Sequence, residues 1–264
     1  MRMNNVNKTL YIPLYGKAYV SRKGIILQDK KAGEIWAAEG FSLKGKSKSK
    51  WLAYYMGMRS AVFDKWTTEQ MKNDAEAVVL HIGCGMDSRV LRIGTDGHIW
   101  YDIDFPNVIC ERKKYFTEND AYHMVEADVR KKDWLSAIPK AKYAIVVMEG
   151  VSMYFQPEEL KVLLEQLSNH FEGINLLMDC YTTFAAKASK YKNPINDVGV
   201  TQVHGLDEPK LLENGKLTFY KEHDMTPDVL IEELTGMEKF IFRKVYSGRI
   251  AKKMYRMYEY IKKS

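Results

Sequence analysis

One short stretch limits the fold of this chain more than any other. The apolar run 77–80 predicts a buried strand and leads into His-Ile-Gly-Cys-Gly-Met-Asp at 81–87, and a second apolar run ends at Asp104. Glycines after a strand let the backbone approach a ligand closely, and an acidic side chain at the end of the next strand can accept hydrogen bonds from a ribose diol. The pattern therefore predicts a nucleoside pocket.

The glycine turn at Gly83 and Gly85 is the predicted cofactor-binding turn, but it does not by itself fix the cofactor. A glycine pair after a strand also opens dinucleotide sites, in which a third glycine allows close packing of helix against strand. Ser88 stands at the place of that third glycine. The pattern favours S-adenosylmethionine over NAD, and a glycine turn with only a structural role is the third interpretation.

The glycine motif is one of six segments that together resemble a known family. In chain order the segments are Asn5–Lys17, Ile26–Ala32, Met58–Asp64, Gly83–Arg89, Tyr101–Pro106 and Met148–Tyr154. The set resembles the leucine carboxyl methyltransferase family, especially its bacterial branch, which is similar to the tetracenomycin-type polyketide O-methyltransferases. The resemblance implies a class I S-adenosylmethionine-dependent O-methyltransferase acting on a hydroxyl or carboxyl group of a small, polyketide-like molecule. A protein C-terminal carboxyl methyltransferase and a non-catalytic S-adenosylmethionine-binding protein are the open alternatives.

The resemblance also assigns residues to the nucleoside end of the cofactor. Asp104 is the implied ribose-binding carboxylate, and Asp102 on the same strand competes for that role. Asp104 could also cap the helix predicted to begin at Pro106, a role that is compatible with ribose binding. Asp128 and Val129 match the position that contacts adenine, with a surface turn as the alternative.

Three further residues are assigned to the methionine end. Glu149 ends an apolar run, where a carboxylate without a partner would cost free energy, and the resemblance places it near the cofactor's ammonium. Arg59 and Lys17 match basic positions that bind the cofactor's carboxylate, which a guanidinium can hold with two parallel hydrogen bonds. Surface positions are the alternative for both. We expect His81 to be a packed core histidine, and Cys84 has no identified base to activate it.

The methyl acceptor is the least determined part of the site. Tyr154 and Tyr181 follow the fourth and fifth predicted strands and are the candidate substrate-binding residues, while His204 and His223 are weaker candidates for a base. No residue is assigned a catalytic role. The sequence has no cluster of His, Cys, Asp and Glu with metal-ligand spacing, so we expect no metal.

Runs of strand-forming residues alternate with helical patterns from residue 77 onward, which predicts an α/β fold with a doubly wound, mostly parallel sheet. The predicted strands are 77–83, 98–104, 121–127, 143–149, 174–180 and 239–246. We expect a single domain over 1–264, in which the acceptor lies between the cap and the insertion. Its parts are a helical cap (1–75), a cofactor-binding core (76–180), a lid insertion (181–222) and a C-terminal part (223–264) that ends in a helix over 249–263. The antiparallel strand that usually ends such sheets is not evident.

Bulk properties narrow the class further. The chain has 264 residues, 46% of them hydrophobic, which is enough for one large core. Its charge of +6 and the lysines within 44–50 could attract an anion, but a solvated loop is the simpler interpretation, and no nucleic-acid-binding motif is present. No apolar run reaches the ~18 residues that span a membrane, and no secretion signal is evident. We expect a cytoplasmic protein with a small-molecule acceptor, no nucleic acid and no membrane partner; the oligomeric state stays open.

Overall fold

A mixed sheet of seven strands forms the centre of the molecule. The computed structural model describes residues 10–40, 43, 45–192 and 202–263. The strands are β1 (Val78–Ile82), β2 (Trp100–Asp104), β3 (Tyr122–Glu126), β4 (Tyr143–Met148), β5 (Gly173–Tyr181), β6 (Thr218–His223) and β7 (Tyr255–Lys262). Their order in the sheet is β3-β2-β1-β4-β5-β7-β6. The pairings among β1 to β5 are parallel, and β7 is antiparallel to both β5 and β6.

The parallel half of the sheet creates the place for a ligand. β1 is buried along its whole length and β4 along all but its first residue, as expected for parallel strands covered by helices on both faces. Chain order reverses between β1 and β4, which are neighbours in the sheet. Open α/β sheets bind ligands outside the carboxyl ends of the strands at such a switch point. The predicted doubly wound, mostly parallel sheet is confirmed.

Helices pack around this sheet. They are α1 (Tyr11–Lys23), α2 (Lys30–Glu39), α3 (Lys50–Asn73), α4 (Arg89–Ile93), α5 (Pro106–Arg112), α6 (Pro157–His170), α7 (Thr183–Lys192), α8 (Asp228–Ile231), α9 (Gly236–Val245) and α10 (Gly248–Lys252). The crossing of α1 and α3 depends on Gly16, because a Cβ there would lie 2.8 Å from the Cβ of Met56. None of the helices in the described ranges is long and apolar enough to cross a membrane.

The prediction of a strand at 239–246 is wrong, because this segment lies mostly in α9. Its apolar residues follow a helical spacing that turns Phe242 into the core while Phe240 stays exposed. On the same inward side, the carboxylate of Glu238 accepts a hydrogen bond of 2.6 Å from the hydroxyl of Tyr54 on α3. Contact with the cap helix thus stabilises a helix where a short apolar run also fits a strand.

The prediction of a helix over 249–263 is wrong beyond residue 252, and the terminal antiparallel strand that was not evident is β7. Residues 257–260 of β7 are all buried, because β7 lies between β5 and β6 and its side chains enter the cores on both faces of the sheet, Met257 on one face and Tyr258 and Tyr260 on the other. Burial on both faces removes the alternation that identifies a strand in a sequence. β6 begins within the predicted lid insertion, 181–222, and ends one residue beyond it. Residues 193–201 of that insertion lie outside the described residues.

Candidate active site

A cavity of about 650 Å³ lies at the carboxyl ends of the parallel strands. Residues that follow β1, β2, β3 and β4 line it, together with side chains of α1 and α3 and of the segment 245–255. A concave pocket at the switch point of a doubly wound sheet is the usual place for a small-molecule site. The cavity brings together all ten residues predicted for the site: Lys17, Arg59, Gly83, Gly85, Asp104, Asp128, Val129, Glu149, Tyr154 and Tyr181.

The turn after β1 depends on its two glycines. Gly83 and Gly85 have φ angles of 68° and 51°, a region that costs free energy for residues with a Cβ. A Cβ on Gly83 would also lie 2.6 Å from Cγ2 of Val151. At these two positions the turn therefore exposes backbone, and not a side chain, to the cavity.

Asp104 presents a carboxylate to the cavity at the end of β2. Its Oδ2 accepts the N–H of Gly85 at 2.8 Å, and its Oδ1 accepts the N–H of Phe105 at 2.8 Å. Burial raises the pKa of Asp104 to about 6, although both N–H groups oppose this rise. A carboxylate has about four acceptor positions, so each oxygen can still accept one hydroxyl.

Asp102, the competitor of Asp104, faces the protein interior and is not among the cavity-lining residues. Its carboxylate accepts hydrogen bonds from the guanidinium of Arg112, from the Tyr122 hydroxyl at 2.7 Å and from the Trp100 indole at 3.0 Å. Burial would raise the pKa of Asp102, but Arg112 and the contact with His81 lower it to about 2. Asp102 is therefore a satisfied core carboxylate.

Asp128 and Val129 lie just after β3 on the cavity wall. Both oxygens of Asp128 are held by the Arg130 guanidinium, at 2.8 Å to Nε and 2.7 Å to Nη2. These hydrogen bonds lower the pKa of Asp128. Arg130, which was not predicted from the sequence, also lines the cavity.

Charged side chains that pair with one another fill the region beside β1 and β4. Lys17 Nζ lies 3.1 Å from Asp87, and Arg59 lies 3.0 Å from both Glu149 and Asp179. Burial alone would raise the pKa of Glu149, but Arg59 is the main group that lowers it to about 2. The prediction that Glu149 faces an ammonium stays a prediction; in the structure its carboxylate contacts basic groups.

A second layer of this ion-pair network was not predicted from the sequence. Arg89 contacts Glu149 and Asp64, and Arg92 contacts Asp64, Asp87 and Asp29, all within hydrogen-bonding distance. Removing one partner of such a buried network leaves an unpaired charge at a large free-energy cost. Asp64 and Arg89 do occur in the quoted family segments, but only their spatial proximity shows that they act together.

The three histidine candidates and Cys84 carry no catalytic feature. His81 lines the cavity but is fully engaged, with Nδ1 2.9 Å from Asp102 and Nε2 3.1 Å from Arg89. Burial lowers the pKa of His81 and raises that of the Cys84 thiol. His204 and His223 are not among the lining residues. No group of three or more potential metal ligands occurs within 10–40, 43, 45–192 and 202–263.

The remaining wall of the cavity is aromatic and apolar. Tyr181 at the end of β5 lies edge-on to Tyr255, with ring centroids 4.4 Å apart, and Tyr154 lines the wall beside Met153. Apart from Tyr154 and Tyr181, its members escaped the sequence analysis because they come from distant parts of the chain. They include Trp51, Tyr55, Val245, Tyr246, Ile250, Met254 and Tyr255.

The fold is that of a Rossmann-like methyltransferase. Magnesium protoporphyrin IX methyltransferase ChlM from Synechocystis PCC 6803, solved with bound SAH, matches with a TM-score of 0.53 at 12% identity. The match covers 87% of this chain and 93% of that chain. At this identity the likeness concerns the fold alone.

The family follows from the sequence match. The family model for leucine carboxyl methyltransferase matches residues 7–168, so the chain belongs to that family. TcmP of Streptomyces glaucescens, a tetracenomycin polyketide synthesis O-methyltransferase, is 26% identical over 245 residues and 91% of each chain. The S-adenosyl-L-methionine-dependent methyltransferase dpfgK of Gibberella zeae is 24% identical over 234 residues, covering 80% of this chain and 78% of that protein. The protein is an S-adenosylmethionine-dependent methyltransferase.

The donor and acceptor groups of the cavity fit this cofactor. The two remaining acceptor positions of Asp104 match the paired hydroxyls of a ribose, and the glycine turn leaves room for close approach. Lys17 has three donor hydrogens, so a second carboxylate can bind beside Asp87. The cofactor expected from the glycine motif is confirmed, and the NAD interpretation is set aside.

Proposed function

We propose that the protein transfers a methyl group from S-adenosylmethionine to an oxygen atom of a small molecule, either a hydroxyl or a carboxyl group of a polyketide-like compound. The observation that carries this proposal is the cavity itself, in which a charged region at the sheet adjoins an aromatic and apolar wall. The similarity to TcmP over 91% of both chains supports an O-methyl acceptor of this kind.

The chain's own residues would bind and orient the reactants. S-adenosylmethionine, when bound, supplies a methyl group on a positively charged sulfur. Asp104 would hold the ribose and Asp128 and Val129 the adenine, while Lys17 and Arg59 would hold the carboxylate. Fixing both reactants in a near-attack arrangement can supply about 7–11 kcal/mol of the barrier reduction.

The acceptor side of the cavity would favour an oxygen that is already anionic or easily made so. The described lining offers tyrosine hydroxyls there, and burial raises the pKa of Tyr55 and of Tyr255. The carboxylates of Glu149 and Asp179, which could otherwise take a proton from the acceptor, are paired with Arg59. A carboxyl acceptor ionises at neutral pH without help, whereas a phenol, with a pKa of about 10, benefits from hydrogen bonds that stabilise its anion. Tyr154 and Tyr181 would supply such contacts.

The test combines binding and turnover. Calorimetry with S-adenosylmethionine, S-adenosylhomocysteine and NAD should give binding of the first two only. A labelled-methyl assay with matched aromatic carboxylic acids and phenols should then give methyl esters or methyl ethers, which mass spectrometry distinguishes. Asp104→Ala, which should bind the cofactor more weakly, is the reference with reduced turnover at limiting cofactor. Cofactor binding without transfer to any small acceptor would contradict the proposed function.

A protein substrate is the second candidate, because the matching family model is named for carboxyl methylation of leucine. A peptide that ends in leucine, tested beside the same peptide with an amidated end, decides between them. Methylation of the free-ended peptide alone, at a rate above that of every small acceptor, would favour the protein substrate.

A further inference from the structure

The cavity wall divides into two regions of different chemistry. Lys17, Arg59 and Glu149 lie in the first region, and all are buried. The second region, formed by residues 245–255, contributes no charged side chain to the described lining. Its lining members are Val245, Tyr246, Ile250, Ala251, Met254 and Tyr255. These three charged side chains therefore lie deep in the cavity, whereas the region 245–255 continues toward solvent; the charged and exposed Arg130 lines another part of the wall.

Three apolar side chains mark the opening of the cavity. Val245, Ile250 and Met254 line it and are nevertheless 47%, 51% and 38% exposed. Side chains that both line a cavity and reach solvent lie at its rim. Exposed apolar side chains gathered at the rim of a concave site are typical of ligand binding, because a ligand removes their surface from water.

The segment that carries these side chains is held in place at both ends. At its start, the ring of Tyr246 stacks on Trp51 of the cap, with centroids 5.5 Å apart and planes 10° apart. At its end, the N–H of Thr182 donates to the Met254 carbonyl at 3.1 Å, and the Thr182 hydroxyl donates to the Lys253 carbonyl at 2.6 Å. The rim is thus a built wall between the cap and the end of β5.

We propose that Val245, Ile250 and Met254 form an acceptor subsite, which binds the uncharged, apolar part of the acceptor farthest from the methylated oxygen. The inference rests on the proposed function, since it takes the ligand to be a small molecule that enters beside the cofactor. Acceptors with an extended apolar body would reach the rim, while a single ring would fit inside the cavity without contacting it. The rim therefore selects acceptors by size.

The test measures binding to the protein loaded with S-adenosylhomocysteine, so it does not depend on turnover. The probes are two series of one, two and three fused rings: benzoic, naphthalene and anthracene carboxylic acids, and phenol, naphthol and anthrol. In at least one series, affinity should rise with ring number. The double variant Ile250→Ser with Met254→Ser should lose about tenfold in affinity for the three-ring probe and less than twofold for the one-ring probe.

The matched control is Val229→Ser with Met237→Ser, which removes apolar side chains that are 69% and 71% exposed but do not line the cavity. It should leave every affinity unchanged. Equal losses for all ring sizes in the rim variant, or no rise in affinity with ring number in either series, would overturn the subsite. Ring-dependent binding without methyl transfer would instead reject the proposed function and keep the subsite.

Discussion

The deep region and the rim of the cavity are built in different ways. The deep region consists of charged residues at strand ends and on α3, tied together by ion pairs such as Arg59 with Glu149 and Asp179. The apolar part of the rim consists of side chains from one segment, Val245 to Met254, packed against the cap. Changes to the ion-paired residues of the deep region should therefore affect folding and cofactor binding together, whereas changes to the apolar rim side chains should affect only binding of the acceptor.

The largest effect is expected for Arg59→Ala. This change leaves Asp179 and one oxygen of Glu149 without their guanidinium in a buried site, and we expect a loss of about 3–5 kcal/mol in the free energy of unfolding. Urea unfolding measures it. Arg243→Ala, which removes an exposed ion pair with Glu232, should cost far less, because solvent screens an ion pair at the surface. Equal costs for the two variants would show that the deep network does not stabilise the fold.

Replacing Arg59 with lysine tests whether cofactor binding needs the guanidinium or only its positive charge. Lysine keeps the charge but cannot hold two carboxylates and a ligand with a planar fork, so Arg59→Lys should still weaken binding of S-adenosylmethionine. Calorimetry on the folded variant measures this affinity. An affinity equal to that of the unaltered protein would place Arg59 outside the binding of the cofactor.

Asp104→Ala should affect binding more than folding. The variant removes a charged acceptor for the ribose hydroxyls, and we expect S-adenosylmethionine to bind more weakly by about 1–3 kcal/mol. Calorimetry gives this value, and circular dichroism confirms that the variant is folded. Asp120→Ala, at an exposed position, is the control. Unchanged affinity in the folded Asp104 variant would mean that another group holds the ribose.

Asp104 also gives binding a pH dependence. Burial raises its pKa to about 6, and ribose hydroxyls bind the ionised form, so affinity is present above this pKa and falls below it. From about pH 7 to about pH 5 we expect roughly tenfold weaker binding, measured by calorimetry, and little change in Asp104→Asn. For folding the sign is reversed: the folded pKa lies above the unfolded value, so this group's contribution to stability falls as pH rises toward 6. A pH dependence that persists in Asp104→Asn would assign it to another group.

The smallest effect is expected for Glu238→Gln, behind the rim. Glu238 accepts hydrogen bonds from Lys50 at 2.7 Å and Tyr54 at 2.6 Å, and these contacts lower its pKa to about 2. Because the pair is partly exposed, we expect a loss of at most about 1 kcal/mol near neutral pH, which disappears as acid protonates the carboxyl. Urea unfolding beside the exposed control Glu165→Gln measures it. Weakened cofactor binding in this variant would contradict the expectation that changes near the rim leave the cofactor site in the deep region unaltered.

The deep region was largely predictable because its residues follow strands in a fixed order. The glycine turn and Asp104 could be placed from the sequence, since parallel strands bring their carboxyl ends to one edge of the sheet. The choice between Asp102 and Asp104 also agrees with the register, which buries Asp102 against Arg112. The ion pairs of the deep region were not predictable from the sequence, because residues such as Asp64 and Arg92 meet only when the cap packs on the sheet.

The C-terminal part shows the opposite case. Apolar spacing in 239–246 fits a strand or a helix, and spacing in 255–262 fits a helix or a strand buried on both faces. Packing of Phe242 into the core makes 239–246 mostly helical. Pairing between β5 and β6 makes 255–262 a strand. The predicted position of the acceptor under the insertion 181–222 stays a prediction, while the structure adds a wall from 245–255.

The sequence by itself determined the fold class and the strand ends that line the cavity, because local patterns of glycine, apolar and acidic residues specify strands and their carboxyl ends. The six family segments, and not the glycine pattern alone, determined the cofactor. The tertiary structure alone decided which charges neutralise one another, which strands close the sheet, and which residues form the rim. Those features depend on contacts between segments far apart in the chain, such as Trp51 with Tyr246. Such contacts leave no periodic pattern in the sequence, because the pattern around each residue reflects only the helix or strand that contains it.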